Sequence, residues 1–283
     1  MKTMKTAMLA GLILTPAIAM AGAKKEAITD VADSVIEQQR AALAVNTEGK
    51  GFGPQSPRDI DVAAGTNSNK FSTAPDRSEM NLCNIHFHIG AEHKGGEFTT
   101  YAGNGDGQGH GTGYLFDGEL KKKQLKPVKA DICGGLVPGD TIEVHFVHTT
   151  AQIEPGPTLG ACLQENIMNP QLRVEAQVIV LANDSSAADF VEMAQISQQN
   201  GYFQAANIPT DTGTPVEYEG STTGPSYNEK GSPLQVSWSV RPEVAVVDIN
   251  SVGKWCNDNR FDEDHAHGVR NLVLNPQLLS AIK

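Results

Sequence analysis

The sequence predicts a mainly β fold: one domain on a large, mostly antiparallel twisted sheet, with a few short peripheral helices and an N-terminal helix. Three observations point there. Short runs alternating between apolar and polar residues recur at 84–89, 141–149, 172–181, 234–240 and 244–249, the period of a half-buried strand. Turn clusters at 103–113 and 134–140 separate such runs, in a chain with 28 Gly and 15 Pro, residues that punctuate strands. No internal repeat and no second composition regime divides the 283 residues, so a single domain accounts for them.

Residues 1–21 read as a secretion signal. Lys2 and Lys5 supply a positive start, 8–19 is apolar, and Ala19-Met20-Ala21 is a small-residue cleavage site, with Ala21-Gly22-Ala23 as a second one. The apolar run is too short to span a membrane. Residues 22–75 read as an extension. Ile28, Val31, Val35 and Leu43 fall on a helical period, and 49–74 is a loop rich in Gly, Pro, Ser and Asn. Residues 76–283 carry the β domain.

The signal places the protein in the periplasm or outside the cell, where thiols oxidise. Cys83, Cys133, Cys162 and Cys256 are an even set with no Cys-x-x-Cys. This argues for two disulfides, with three pairings open, and against a cysteine-type metal site. Removing Lys2 and Lys5 takes the formal charge from −11 to −13. Such an acidic chain, with Lys121-Lys122-Lys123 as its one basic run, is a poor ligand for nucleic acid or, once the signal is cleaved, for a membrane surface.

The chemistry sits in two strands. His86 and His88 are two apart, so in a strand they share a face while Phe87 points into the opposite packing. On the second strand Glu143 and His145 share a face. Three imidazoles from two strands give a tetrahedral metal three nitrogens and an open vertex, the arrangement of catalytic zinc. Co2+ or Cd2+ would also suit that donor set. A metal-bound imidazole needs its other nitrogen fixed, and Asn84 and Glu143 stand two residues before His86 and His145 for that role. His265 and His267 form another His-x-His, after Asp262, Glu263 and Asp264. The segment lacks strand alternation and reads as a surface loop. His148 should face away from His145, and His93 and His110 lie in or beside Gly-rich loops.

These residues resemble the α-type carbonic anhydrases: His-x-His on one strand, Glu-x-His-x-Val-His on another. Gln55-Ser56-Pro57-Arg58-Asp59-Ile60, Ala91-Glu92-His93 and Tyr218-Glu219-Gly220-Ser221-Thr222-Thr223-Gly224-Pro225 resemble further motifs of that group in the same order, followed by Trp238. From about residue 81 onward the chain is similar to the δ-class carbonic anhydrases. The resemblance implies an α-carbonic-anhydrase-like sheet and zinc-dependent hydration of CO2 to bicarbonate and a proton. It makes His86, His88 and His145 the zinc ligands, with Asn84 and Glu143 behind them and Val147 an apolar wall of the substrate pocket. Thr222 matches the threonine that orients the attacking hydroxide, Glu92 the carboxylate that takes that threonine's proton, and Thr223 its neighbour.

Two departures leave questions open. Ser221 runs straight into Thr222 without the intervening apolar residue, so Thr222 and Thr223 both fit the hydroxyl position. No histidine precedes His86, so the usual proton shuttle has no counterpart; His110, His148, His265, His267 or buffer would have to serve. Two other readings use the same residues: an exported zinc hydrolase of esterase type, and a non-catalytic binding protein on the same scaffold.

Overall fold

The computed structural model describes residues 28–62, 65–165, 167, 169–222 and 229–282; the proposed secretion signal, 1–21, lies outside them. Among the described residues the strands are, in chain order, β1 (Asn81–Ile89), β2 (Thr100–Tyr101), β3 (Tyr114–Leu115), β4 (Thr141–Thr149), β5 (Leu172–Ala182), β6 (Ile196–Gln199), β7 (Tyr202–Ala205), β8 (Val216–Ser221), β9 (Gln235–Val240) and β10 (Ala245–Asp248). The main sheet runs β1-β4-β5-β9-β8, and β10 also pairs with β5. Its β1–β4, β4–β5 and β8–β9 pairings are antiparallel, while β5–β9 and β5–β10 are parallel. The sheet is therefore mixed, antiparallel from β1 to β5 and from β9 to β8, with the parallel pairings on the middle strand β5.

Register decides the function of the centre. His86 stands opposite His145, His88 opposite Glu143, and His145 in turn opposite Ala176 on β5. The small Ala176 leaves room beside the imidazole. The alternate residues fill the other face: Ile85, Phe87, Val144 and Phe146 are fully buried. They pack with Phe190 of helix α2 (Phe190–Met193) and Trp255 of helix α3 (Ile249–Asn257). Each such side chain contributes roughly 1.5–3 kcal/mol from burial. Two disulfides, Cys83–Cys162 and Cys133–Cys256, select one of the three possible pairings. No described helix is long and apolar enough to cross a membrane.

Three local readings need correction. The N-terminal helix α1 (Asp33–Thr47) buries Ile36, Leu43 and Thr47, whereas Ile28 and Val35 are exposed; Leu43 is buried as expected, but Ile36 takes the place of Val35. The last apolar run does not continue as strand to 249. Asp248 ends β10 and caps α3, accepting from the Asn250 N–H, so Ile249 begins a helix that alternation conceals. The 265–267 segment is a loop, but it lies along β1, with His267 N–H donating to the Phe87 carbonyl and the His267 carbonyl accepting from Ile89 N–H.

Candidate metal centre

β1 and β4 bring His86, His88 and His145 together, with one nitrogen of each lying within 4.8 Å of the others. The remaining nitrogen of each ring is engaged, and its partner fixes the tautomer. Asn84 Nδ2 donates to the Gly156 carbonyl at 3.1 Å, so its Oδ1 accepts from His86 Nδ1–H at 2.6 Å. The Gly268 carbonyl accepts from His88 Nδ1–H at 2.9 Å. Glu143 Oε1 accepts from His145 Nε2–H at 2.9 Å. Two Nε2 lone pairs and one Nδ1 lone pair are left facing a common point.

The spacing fits a small tetrahedral cation. His86 Nε2 and His145 Nδ1 are 3.3 Å apart, and neither carries a proton in these tautomers. Metal–nitrogen bonds of about 2.05 Å in a tetrahedron put ligand nitrogens about 3.3 Å apart. Two lone pairs at that distance repel unless a cation lies between them. Burial keeps all three rings neutral: it lowers His86 well below the ordinary histidine value, His88 to about 4, and His145 by a smaller margin because Glu143 opposes the shift. Neutral imidazole is the form that binds metal.

Behind His145 lies a buried polar chain. Glu143 Oε2 accepts the backbone N–H groups of Glu92 at 2.7 Å and His93 at 3.0 Å, while Oε1 accepts His93 Nδ1–H at 2.6 Å as well as His145. Burial alone would raise this carboxyl; facing His93 and His145, it is held well below the usual range. His93 Nε2 accepts from the Tyr218 hydroxyl. Trp238 walls the chain, its ring centroid 4.8 Å from His93 and 5.0 Å from His145. The expectation that His93 belongs to a Gly-rich loop misses this role. The signal was its place directly after Glu92 in the Ala-Glu-His motif.

Glu92 is buried, with Oε2 3.7 Å from His145 Nε2 and 4.0 Å from His88 Nε2; burial raises its carboxyl. Thr222 is buried where β8 leaves the sheet, its N–H bonded to the Leu234 carbonyl, and Thr223 lies outside the described residues. Val147 is fully buried, two residues beyond His145 on the same strand face. The remaining histidines separate. His148 is fully buried among the residues of the opposite face, its Nδ1 on the Phe146 carbonyl, and burial lowers it to about 3. His110 and His265 line a different cavity, beside Ile28, Ile89 and Leu136. His267 lies against the cluster: its ring centroid is 5.9 Å from those of His86 and His88. Its Nε2 bonds Glu263, which raises its pKa, and its side chain is 43% exposed.

The delta carbonic anhydrase family profile matches residues 77–251, well over half of the chain. The chain belongs to the delta carbonic anhydrase family. As a carbonic anhydrase it catalyses the reversible hydration of CO2 to bicarbonate and a proton. No curated protein sequence matches it. Among solved structures it is similar to the α-carbonic anhydrase of Photobacterium profundum (15% identity, 79% of this chain and 88% of that one, TM-score 0.28). A hyperthermostable carbonic anhydrase from a hydrothermal vent chimney gives 17% identity, 80% and 87% coverage and a TM-score of 0.29. The sulfanilamide complex of the Thermovibrio ammonificans α-carbonic anhydrase gives 17%, 77% and 84%, and 0.26. At these scores the likenesses add nothing to the family assignment.

Proposed function

We propose that this carbonic anhydrase is an exported zinc enzyme whose ion is held by His86 Nε2, His88 Nε2 and His145 Nδ1. The observation that carries this is the convergence of three unprotonated nitrogens, each fixed by an acceptor on the far side of its ring. Bound there, zinc supplies Lewis acidity that brings the pKa of water from 15.7 to about 7.

The chain's own residues do the rest. A cation held by the three imidazoles favours ionised Glu92, whose Oε2 lies within 4.0 Å of His88 and His145. Ionised Glu92 accepts a hydrogen bond from the Thr222 hydroxyl, so that Thr222 Oγ1 in turn serves as an acceptor that orients the attacking oxygen toward CO2. Thr223 is the alternative one residue on. Val147 supplies a dry apolar wall for CO2. His267, beside two ligands and open to solvent, passes the product proton outward, with Glu263 steadying the charged ring. His148 is sealed behind the sheet and takes no part.

Export is supported by the signal-like 1–21 and by two disulfides. The test is metal analysis of purified protein with stopped-flow CO2 hydration before and after chelation. One zinc per chain and chelator-sensitive activity are expected; full activity in metal-free protein overturns the ligand reading.

A further inference from the structure

Arg58 is an odd residue to bury. It is 1% exposed, yet among the described residues no carboxylate forms an ion pair with it. Its Nη1 donates to the Ser280 carbonyl and, at 2.9 Å, to Ser280 Oγ, while Nε and Nη2 are buried without a partner. An apolar side chain of similar volume would avoid the desolvation cost of a lone buried charge. Burial lowers Arg58 only to about 10, so it is a cation at neutral pH.

Its one large contact is aromatic. The guanidinium carbon lies 3.8 Å from the centroid of the Tyr218 ring, a desolvated cation–π contact. Tyr218 is fully engaged: its hydroxyl donates to His93 Nε2 and bonds Ser56, whose loop also carries Arg58. Gly220 lets that loop approach, because a Cβ there would sit 2.3 Å from Ser56 Oγ. Burial pushes the Tyr218 phenol above its ordinary value and Arg58 opposes that rise. A cation on the ring face draws electron density from the oxygen and makes its O–H a stronger donor. A stronger donor at His93 Nε2 makes His93 Nδ1–H a firmer donor to Glu143, at 2.6 Å, and Glu143 in turn holds His145 Nε2–H at 2.9 Å.

We propose that Arg58 is a positioning residue for the metal centre, its unpaired charge acting on His145 through Tyr218, His93 and Glu143. The inference rests on His145 being a metal ligand, as proposed above. The competing explanation is mechanical: Arg58 merely fastens the Ser280 segment.

The two separate in R58M and R58K, each made alone and with Y218F. In metal-free protein, 15N NMR of His93 reads the hydrogen bond directly. R58M should move the His93 Nε2 resonance toward that of an unbonded ring nitrogen, and R58K by less than half as much. In zinc-loaded protein, R58M should speed zinc release to a chelator by about 3- to 10-fold, less than the roughly 10- to 100-fold expected for a direct partner of a ligand, and should raise the pH midpoint of CO2 hydration. Neither change should appear between Y218F and R58M/Y218F. Should R58M fail to fold, R58K in the two backgrounds closes the same cycle. Unmoved His93 resonances, equal effects of R58M and R58K, or effects that persist with Y218F overturn the proposal. A wild-type chain that binds no zinc overturns the ligand assignment instead, and leaves the His93 measurement standing.

Discussion

The chain carries two His-x-His pairs, and the fold makes them opposites. His86 and His88 lie on strand β1, with Nδ1 donating to an amide oxygen and to a backbone carbonyl. Those neutral acceptors take one proton and leave Nε2 bare. His265 and His267 lie in a loop with carboxylates as partners, Asp264 and Glu263, and Glu263 favours a second proton on His267. Imidazole spacing is the same in both pairs. What differs is burial and the charge of the partner, and these decide whether a histidine binds a cation or carries a proton.

The largest test of this contrast is removal of the strand histidines. H86A, H88A and H145A should each lose bound zinc and all measurable CO2 hydration, while H265A keeps both; zinc loss in H265A would erase the distinction. Next is the partner of a strand ligand. E143A should weaken zinc binding by about 10- to 100-fold, read by competition with a chelator, and N84A should act in the same sense through His86. T222A should lower kcat by about 10²-fold, the scale of one oriented transition-state hydrogen bond, with zinc content unchanged. A larger fall in T223A moves the hydroxyl role one residue along. H267A should slow turnover at least about 10-fold in weak buffer and recover in added imidazole; no loss would leave the loop pair without a proton-carrying member.

The smallest effect sharpens the same contrast through pH. His148 is lowered from 6.5 to about 3 in the fold, by burial first and then by Arg77 and Arg173, with Asp76 opposing. Between those values the unfolded chain binds the extra proton and the folded chain does not, so stability falls as pH falls. The slope is about 1.4 kcal/mol per pH unit for this one ring. His267 has the reverse sign: its raised value gives stability that is present below the unfolded pKa and lost as pH rises through the folded one. Urea melts of H148Q and H267Q across pH 4–8 should show slopes changed in opposite directions.

Much of this was legible in the sequence, for a physical reason. A strand's two-residue period puts His86 with His88 and Glu143 with His145 on shared faces whatever the neighbours are. The contacts of Asn84 and Glu143 span two residues each, so they too follow from local geometry. Three things were not legible. The Gly268 carbonyl behind His88 is a backbone atom 180 residues away, which no side-chain pattern marks. His93 was hidden by its loop, although β4 and β8 meet it with Glu143 and Tyr218. The helix after Asp248 was masked by an apolar run that fits strand and helix alike over so few residues.

The bond from His88 to Gly268 sets an order of assembly. Asn84 and Glu143 come off the ribosome close to the rings they orient, but the third tether is made only when residue 268 emerges, 180 residues after His88. A nascent chain that has not reached residue 268 therefore lacks the third of these tethers. The orientation of the third ring is thus tied to a segment far along the chain from the strand that carries it.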